Sequence, residues 1–192
     1  MDNSNAFPPV AASPPLRKFI RKALFERTWK KISKNQTTLD FCCGHGLYFE
    51  VNPNAYGIEG DLQVVRYLQG LGRKVVFGNV LEGTPFQENE FDNVLSHDVF
   101  EHFELTELET LMEEIRRILK VNGILWIWVP NRKGFDFAMD EGHKHFVTAE
   151  DINRMSKKFN FQILENYPEP LPRFVGKYFP HNKEVFKLIK LD

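Results

Sequence analysis

The stretch Thr37 to Phe49 reads T-T-L-D-F-C-C-G-H-G-L-Y-F, an apolar run that ends on Asp40 and breaks into a turn of small residues. That is the pattern of a strand feeding a ligand-binding loop, and Gly44 and Gly46 let a ligand approach the backbone closely. Glu59 stands 19 residues after Asp40 and closes a second apolar segment, Ala55 to Glu59. An acid at such a strand end can take both hydroxyls of a ribose, so the pair points to an adenosine-containing cofactor. A second group of chemically able side chains, His97, Asp98, Glu101 and His102, follows the apolar segment Phe91 to Ser96. Any of these can act as a general base if an acceptor must lose a proton; Asp98 and Glu101 can also favour a bound cation or cap the next helix, the role expected for Glu101. For His102 a base and a structural role stand level. A third group, His143 and His145, lies in the long connection Asn131 to Val147, which has the length of a lid. With Asp140 or Glu141 these histidines have no clear third ligand, so no metal is expected. Arg173, Lys177, Tyr178 and His181 sit in a later proline-rich loop, as either solvated charges or contacts to an anionic or glycan substrate.

The elements that must position these groups alternate. Strand patterns at 37–41, 55–59, 75–77, 91–96, 124–129, 161–166 and 185–191 are interleaved with helical ones at 61–71, 106–119 and 148–160. The helix from Thr106 to Leu119 has an apolar stripe through Leu108, Leu111, Met112, Ile115 and Ile118, with Thr106 and Glu109 expected as its capping box and Asn122-Gly123 as its stop. Ile124 to Val129 is apolar without alternation, as a strand buried on both faces requires. The fold class this implies is α/β, a Rossmann-like doubly wound, mostly parallel seven-stranded sheet with an antiparallel final strand and helices on both faces. Residues 1–15 read as a flexible arm rich in proline, and 16–192 as one domain. Within it, 16–34 is a basic amphipathic helix, whose charges form a solvated face or, less favoured, a peripheral contact with an anionic membrane, lipid or nucleic acid.

A net charge of -1 excludes a global attraction to polyanions. The longest apolar run is too short to span a bilayer, and the start lacks the basic and apolar regions of a signal peptide. The two cysteines, Cys42 and Cys43, are adjacent, so they form no disulfide framework and no C-x-x-C metal pair. Small-residue packing is the preferred reading for both, and a cytoplasmic location follows from their usage.

Which adenosine cofactor is meant depends on residue 49. A dinucleotide fingerprint laid on Gly44 and Gly46 places its third glycine there, and the chain has Phe49. The stretch instead resembles motif I of the class I S-adenosylmethionine-dependent methyltransferases, D-x-G-x-G-x-G, with Asp40, Cys42, Gly44 and Gly46 at its D and three G positions. Further likenesses run in order: Y-G-I-E-G-D (Tyr56 to Asp61) to the ribose-binding strand end, G-N-V (Gly78 to Val80) to the adenine-contacting segment, S-H-D-V-F-E-H (Ser96 to His102) to the segment after the fourth strand, and I-L-K-V-N-G-I-L (Ile118 to Leu125) to the usual L-K-P-G-G-x-L. H-F-V-T-A-E-D-I (His145 to Ile152) is similar to the subgroup acting on small molecules, quinones, lipids and sugars.

The resemblance implies S-adenosylmethionine as cofactor, bound by Asp40, Cys42, Gly44, Gly46, Glu59, Gly60, Asn79, Val80 and His97. It implies methyl transfer to a small-molecule, lipid or glycan acceptor, with His102, His97 and Asp98 as catalytic residues and His143, His145, Arg173 and Tyr178 against the substrate. A scaffold that keeps the fold without catalysis is the alternative. Nucleic-acid acceptors are disfavoured, because no N-P-P-Y-like motif follows the fourth strand and no cysteine lies in the later strands. Cys42 in place of a glycine implies a backbone angle open to any L-residue. Asn79 in place of the usual aspartate leaves a side-chain carbonyl to accept the adenine amino group.

Overall fold

Each short apolar run becomes a strand because its residues face helices on both sides. The computed structural model describes residues 28–131, 142–176 and 182–192. The strands are β1 (Thr38–Phe41), β2 (Tyr56–Glu59), β3 (Lys74–Phe77), β4 (Phe91–His97), β5 (Leu119–Pro130), β6 (Phe161–Glu169) and β7 (Lys183–Lys190). They form one sheet in the order β3-β2-β1-β4-β5-β7-β6. β1 to β5 run parallel, and β7 lies antiparallel between β5 and β6. The helices are α1 (Leu62–Gly70), α2 (Leu105–Ile118), α3 (Ala149–Lys158) and the short α4 (Arg173–Gly176). This is the expected α/β architecture. The arm 1–15 and most of the basic helix 16–34 lie outside the described residues.

Side-chain alternation along the central strands divides the core into two. On one face Leu39, Phe41, Val94, Leu125 and Ile127 pack against the stripe of α2 and against Ile152 and Met155 of α3. On the other, Leu95, Trp126 and Trp128 pack with Val64, Val65 and Leu68 of α1, with Tyr48 and Phe49, and with Trp29 and Ile32 from the segment preceding β1. Phe49 is 1% exposed, so the position a dinucleotide site reserves for glycine is a packed core residue here.

Two boundaries differ from the sequence reading. α2 is capped two residues earlier than expected: Glu104 is its N-cap, and the Glu107 carboxylate accepts the Glu104 N–H at 2.8 Å, so Thr106 and Glu109 are not the capping box. α2 ends at Ile118 and Leu119 is already paired with Phe91 of β4; the next pair is Asn93 with Ile124, so Lys120 to Gly123 bulge out of β5 with Asn122 at φ 63°. Asn122-Gly123 therefore shapes a bulge within the strand. At α3 the expected cap forms, Thr148 Oγ1 accepting the Asp151 N–H and the Asp151 carboxylate accepting the Thr148 N–H.

Candidate active site

Because β1, β2 and β4 are parallel neighbours, their carboxyl ends deliver Asp40, Glu59 and His97 to the same edge of the sheet. The loop after β1 is held there by its backbone: Cys43 N–H donates to Ile58 O at 3.0 Å and Gly46 N–H to Cys43 O at 2.8 Å. It turns through three left-handed residues, Cys42 (φ 57°), Gly44 (φ 48°) and Gly46 (φ 69°). The expected ordinary angle at Cys42 is thus incorrect. The position keeps the conformation that favours glycine, at a cost of about 1–2 kcal/mol for an L-residue. At Gly46 a Cβ would lie 2.7 Å from Leu68 Cδ2 and Phe49 Cδ2, so only glycine lets the loop close onto α1. A Cβ at Gly44 would meet no atom within 4 Å, which leaves open space over that backbone.

Glu59 organises the loop. Its Oε2 accepts the Gly44 N–H at 2.8 Å, and its Oε1 accepts the N–H groups of Gly60 (2.8 Å) and Asp61 (3.0 Å). The carboxylate so fixed ties the ends of β1 and β2 together and keeps lone pairs for further donors. Asp40 is 6% exposed, and its carboxyl is pushed up to about 7 by burial and then by the neighbouring Glu59 charge. Burial also drives the Cys42 and Cys43 thiols well above their ordinary range, with Glu59 and Asp40 adding to it, so neither is a nucleophile. Asn79 caps the turn Val80–Glu82: its Oδ1 accepts the Leu81 N–H at 3.1 Å and its Nδ2 donates to Glu82 Oε1 at 2.8 Å. Val80 is buried in the core beside it.

A cavity of about 210 Å³ opens beside the β1 loop, lined by Asp40, Cys42, Gly44, Tyr48, His97 and Asp98 among others, with Trp29 across it. Trp29 meets Tyr48 and His97 edge-on, at centroid distances of 5.8 and 5.5 Å, and His97 also lies 5.4 Å from Trp128. Trp29 is anchored by its neighbour: Thr28 Oγ1 donates to the buried Glu169 Oε1 at 2.6 Å. Reading the sequence did not assign Trp29 or Tyr48 to the site; an aromatic on the apolar face of the preceding helical pattern was the only signal for the first.

Past β4, Asp98 sits at φ 55°, its Oδ2 is 3.6 Å from His97 Nδ1, and its Oδ1 is 2.9 Å from the buried Lys183 ammonium at the start of β7. Glu101 does not cap α2. It is 1% exposed within the turn Phe100–His102, and its main-chain carbonyl accepts the Lys144 and His145 N–H groups at 2.8 and 3.2 Å. Burial raises the Glu101 carboxyl well above the usual carboxylate range, Asp98 adds to the rise and Lys183 opposes it. His102 Nδ1 is 3.2 Å from Gly142 O, and its ring lies 4.8 Å from that of His143. His145 instead reaches Asp151 Oδ2 at 3.2 Å, joining the cap of α3. Arg173 begins α4, and Tyr178, Lys177, His181, Asp140 and Glu141 lie outside the described residues.

Comparison with known proteins agrees with this fold. A family model described as a methyltransferase domain matches residues 39–127, from β1 into β5. This stretch is similar to a methyltransferase domain. A solved S-adenosylmethionine-dependent methyltransferase of Archaeoglobus fulgidus superposes with a TM-score of 0.74 at 17% identity, covering 90% of this chain and 94% of that one. A Pyrococcus horikoshii protein gives 0.73 at 16% identity, covering 96% of each chain. A Schizosaccharomyces pombe tRNA (carboxymethyluridine(34)-5-O)-methyltransferase is 30% identical over 113 residues, 56% of this chain and 49% of the yeast protein. The chain thus spans about half the length of that relative. The residues present fit S-adenosylmethionine, the cofactor this likeness implies: open space over Gly44, acceptor capacity on Glu59, and a buried acid, Asp40, suited to a cationic ligand.

Proposed function

We propose that the chain transfers a methyl group from S-adenosylmethionine to a small-molecule, lipid or glycan acceptor. The observation that carries this reading is the cavity itself, with a cofactor cradle at one end (Asp40, Gly44) and proton-handling side chains (His97, Asp98) at the other, beneath an aromatic cover. The cofactor supplies a methyl group already activated by its sulfonium centre, so the protein has to align the acceptor and exclude water. Glu59 takes the ribose hydroxyls, while Gly60, Asn79 and Val80 flank the adenosine. Asp40 and Cys42 border the amino-acid end, with Asp40 matching its positive charge. Trp29 and Tyr48 close the cavity against water. His102 removes the acceptor's proton where one must leave, and His97 with Asp98 sets the charge at the reacting end. His143 lies next to His102 and faces the acceptor with it. Arg173 and Tyr178 are assigned to the acceptor on the sequence resemblance alone, whereas the bond from His145 to Asp151 favours a positioning role for that histidine. Two free thiols fit a reducing compartment such as the cytoplasm.

A second reading, a tRNA acceptor, is favoured by the likeness to the yeast enzyme. Incubation with methyl-labelled cofactor, followed by separation of small-molecule, lipid, glycan and RNA fractions of a cell extract, decides between them. Label in one of the first three supports the proposal, and label in RNA alone overturns it. Absence of cofactor binding by calorimetry at millimolar concentration rejects methyl transfer altogether.

A further inference from the structure

Glu101, His102 and His143 each present one ligand atom within 4.8 Å of the other two. They come from separate parts of the chain: the first two from the turn after β4, the third from the connection before α3, brought in by the Lys144 and His145 N–H bonds to Glu101 O. This is why sequence spacing gave His143 no third partner. The carboxylate of Glu101 is the second observation. The side chain is nine-tenths or more buried, and neither oxygen accepts a hydrogen bond. A buried carboxyl with no such partner is relieved either by keeping its proton or by a bound cation that replaces it. The adjacent Lys183 ammonium pairs with Asp98 at 2.9 Å. His102 is also set up for the purpose: an Nδ1 proton directed at Gly142 O leaves Nε2 as the basic nitrogen, the way ligating histidines are commonly oriented.

We propose that Glu101, His102 and His143 form a divalent transition-metal site at the turn that follows Asp98, a lining residue of the cavity. Two imidazoles and one carboxylate suit Mn²⁺, Fe²⁺, Co²⁺ or Zn²⁺ over the harder Mg²⁺ and Ca²⁺. Ligand bonds of about 2.0–2.2 Å put the donor atoms of a tetrahedral site about 3.3–3.6 Å apart, so closure requires the widest separation, 4.8 Å, to shrink by about 1.2–1.5 Å. Three protein ligands leave a coordination position open, which resting on the proposed function would hold the acceptor's oxygen and lower its pKa, with Asp98 taking the proton in place of His102 whenever the metal is bound.

The test is titration of the tag-free full chain with Co²⁺, followed by absorption, with Mn²⁺ and Zn²⁺ by calorimetry. One equivalent should bind, with visible ligand-field bands and no thiolate charge-transfer band. Glu101→Gln and His143→Ala should each weaken binding more than about 10-fold, the scale of even an outer-sphere loss. His143→Ala removes a partly exposed side chain, so it reports even where Glu101→Gln fails to fold. No binding at millimolar metal, a thiolate band placing the metal on Cys42 or Cys43, or full affinity in a folded variant overturns the site. Cofactor binding is measured separately on the metal-free chain, so the two proposals fail independently.

Discussion

Replacing Glu59 by alanine removes the acceptor of three backbone N–H groups at once. Those of Gly60 and Asp61 are exposed and return to water at little cost, whereas that of Gly44 is partly buried. Losing a charged acceptor there costs about 1.5–3 kcal/mol. For a chain of 192 residues this lowers the melting temperature by about 3–12 °C. If the ribose hydroxyls donate to the same carboxylate, S-adenosylmethionine loses a comparable 1.5–3 kcal/mol, a dissociation constant about 10- to 150-fold higher. Calorimetric titration well below the melting point, beside a melt of the free protein, separates the two effects. Unchanged affinity in a folded variant refutes the placement of the ribose. An unchanged melt refutes the structural role of the Gly44 bond.

Asp40 makes the cofactor-free protein sensitive to pH. A carboxyl whose folded pKa, about 7, exceeds its unfolded value of 3.8 holds its proton more tightly when folded, so stability falls as pH rises across that interval. At about 1.4 kcal/mol per pH unit the ceiling is about 4 kcal/mol. Urea denaturation at pH 5 and pH 8 should show the loss in the native chain and little of it in Asp40→Asn; equal slopes would refute the assignment. Gly46→Ala combines a left-handed angle with a clash against Leu68 and Phe49 and should cost about 2–5 kcal/mol, against about 1–2 for Gly44→Ala, where space is open. Equal losses in chemical denaturation would remove the packing argument. Cys42→Gly relieves its left-handed strain and, after the extra entropy of glycine in the unfolded chain, should stabilise by about 0.5–1 kcal/mol; a lower melting temperature would contradict it.

The parts legible in the sequence were those governed by local rules. The acid-then-glycine turn at Asp40 and the acid at Glu59 are set by strand ends and spacing, and the structure joins them through Gly44. Periodicity found α2 and the apolar β5, but not the bulge at Lys120 to Gly123, because a bulge is decided by the partner strand's register. Nor did it order the last two strands: nothing local in 183–190 states that β7 inserts between β5 and β6. Trp29, Lys183 and the pairing of His102 with His143 reach the site from distant segments, so only tertiary packing reveals them. His145 looked equivalent to His143, yet its i+6 neighbour Asp151 draws it to a helix cap.

The insertion of β7 has a consequence for how the protein is made. Among the described strands β6 bonds only to β7, and β5 gains its second neighbour from the same strand. As the chain leaves the ribosome, β5, carrying Trp126 and Trp128, presents a long open apolar edge until residues 183–190 arrive, the condition under which strands pair with the wrong partner. The same late strand brings the ammonium that balances Asp98. Completion of the sheet and arrival of the site's countercharge are therefore one event, and a nascent chain stalled before it would hold neither a closed edge nor a finished centre.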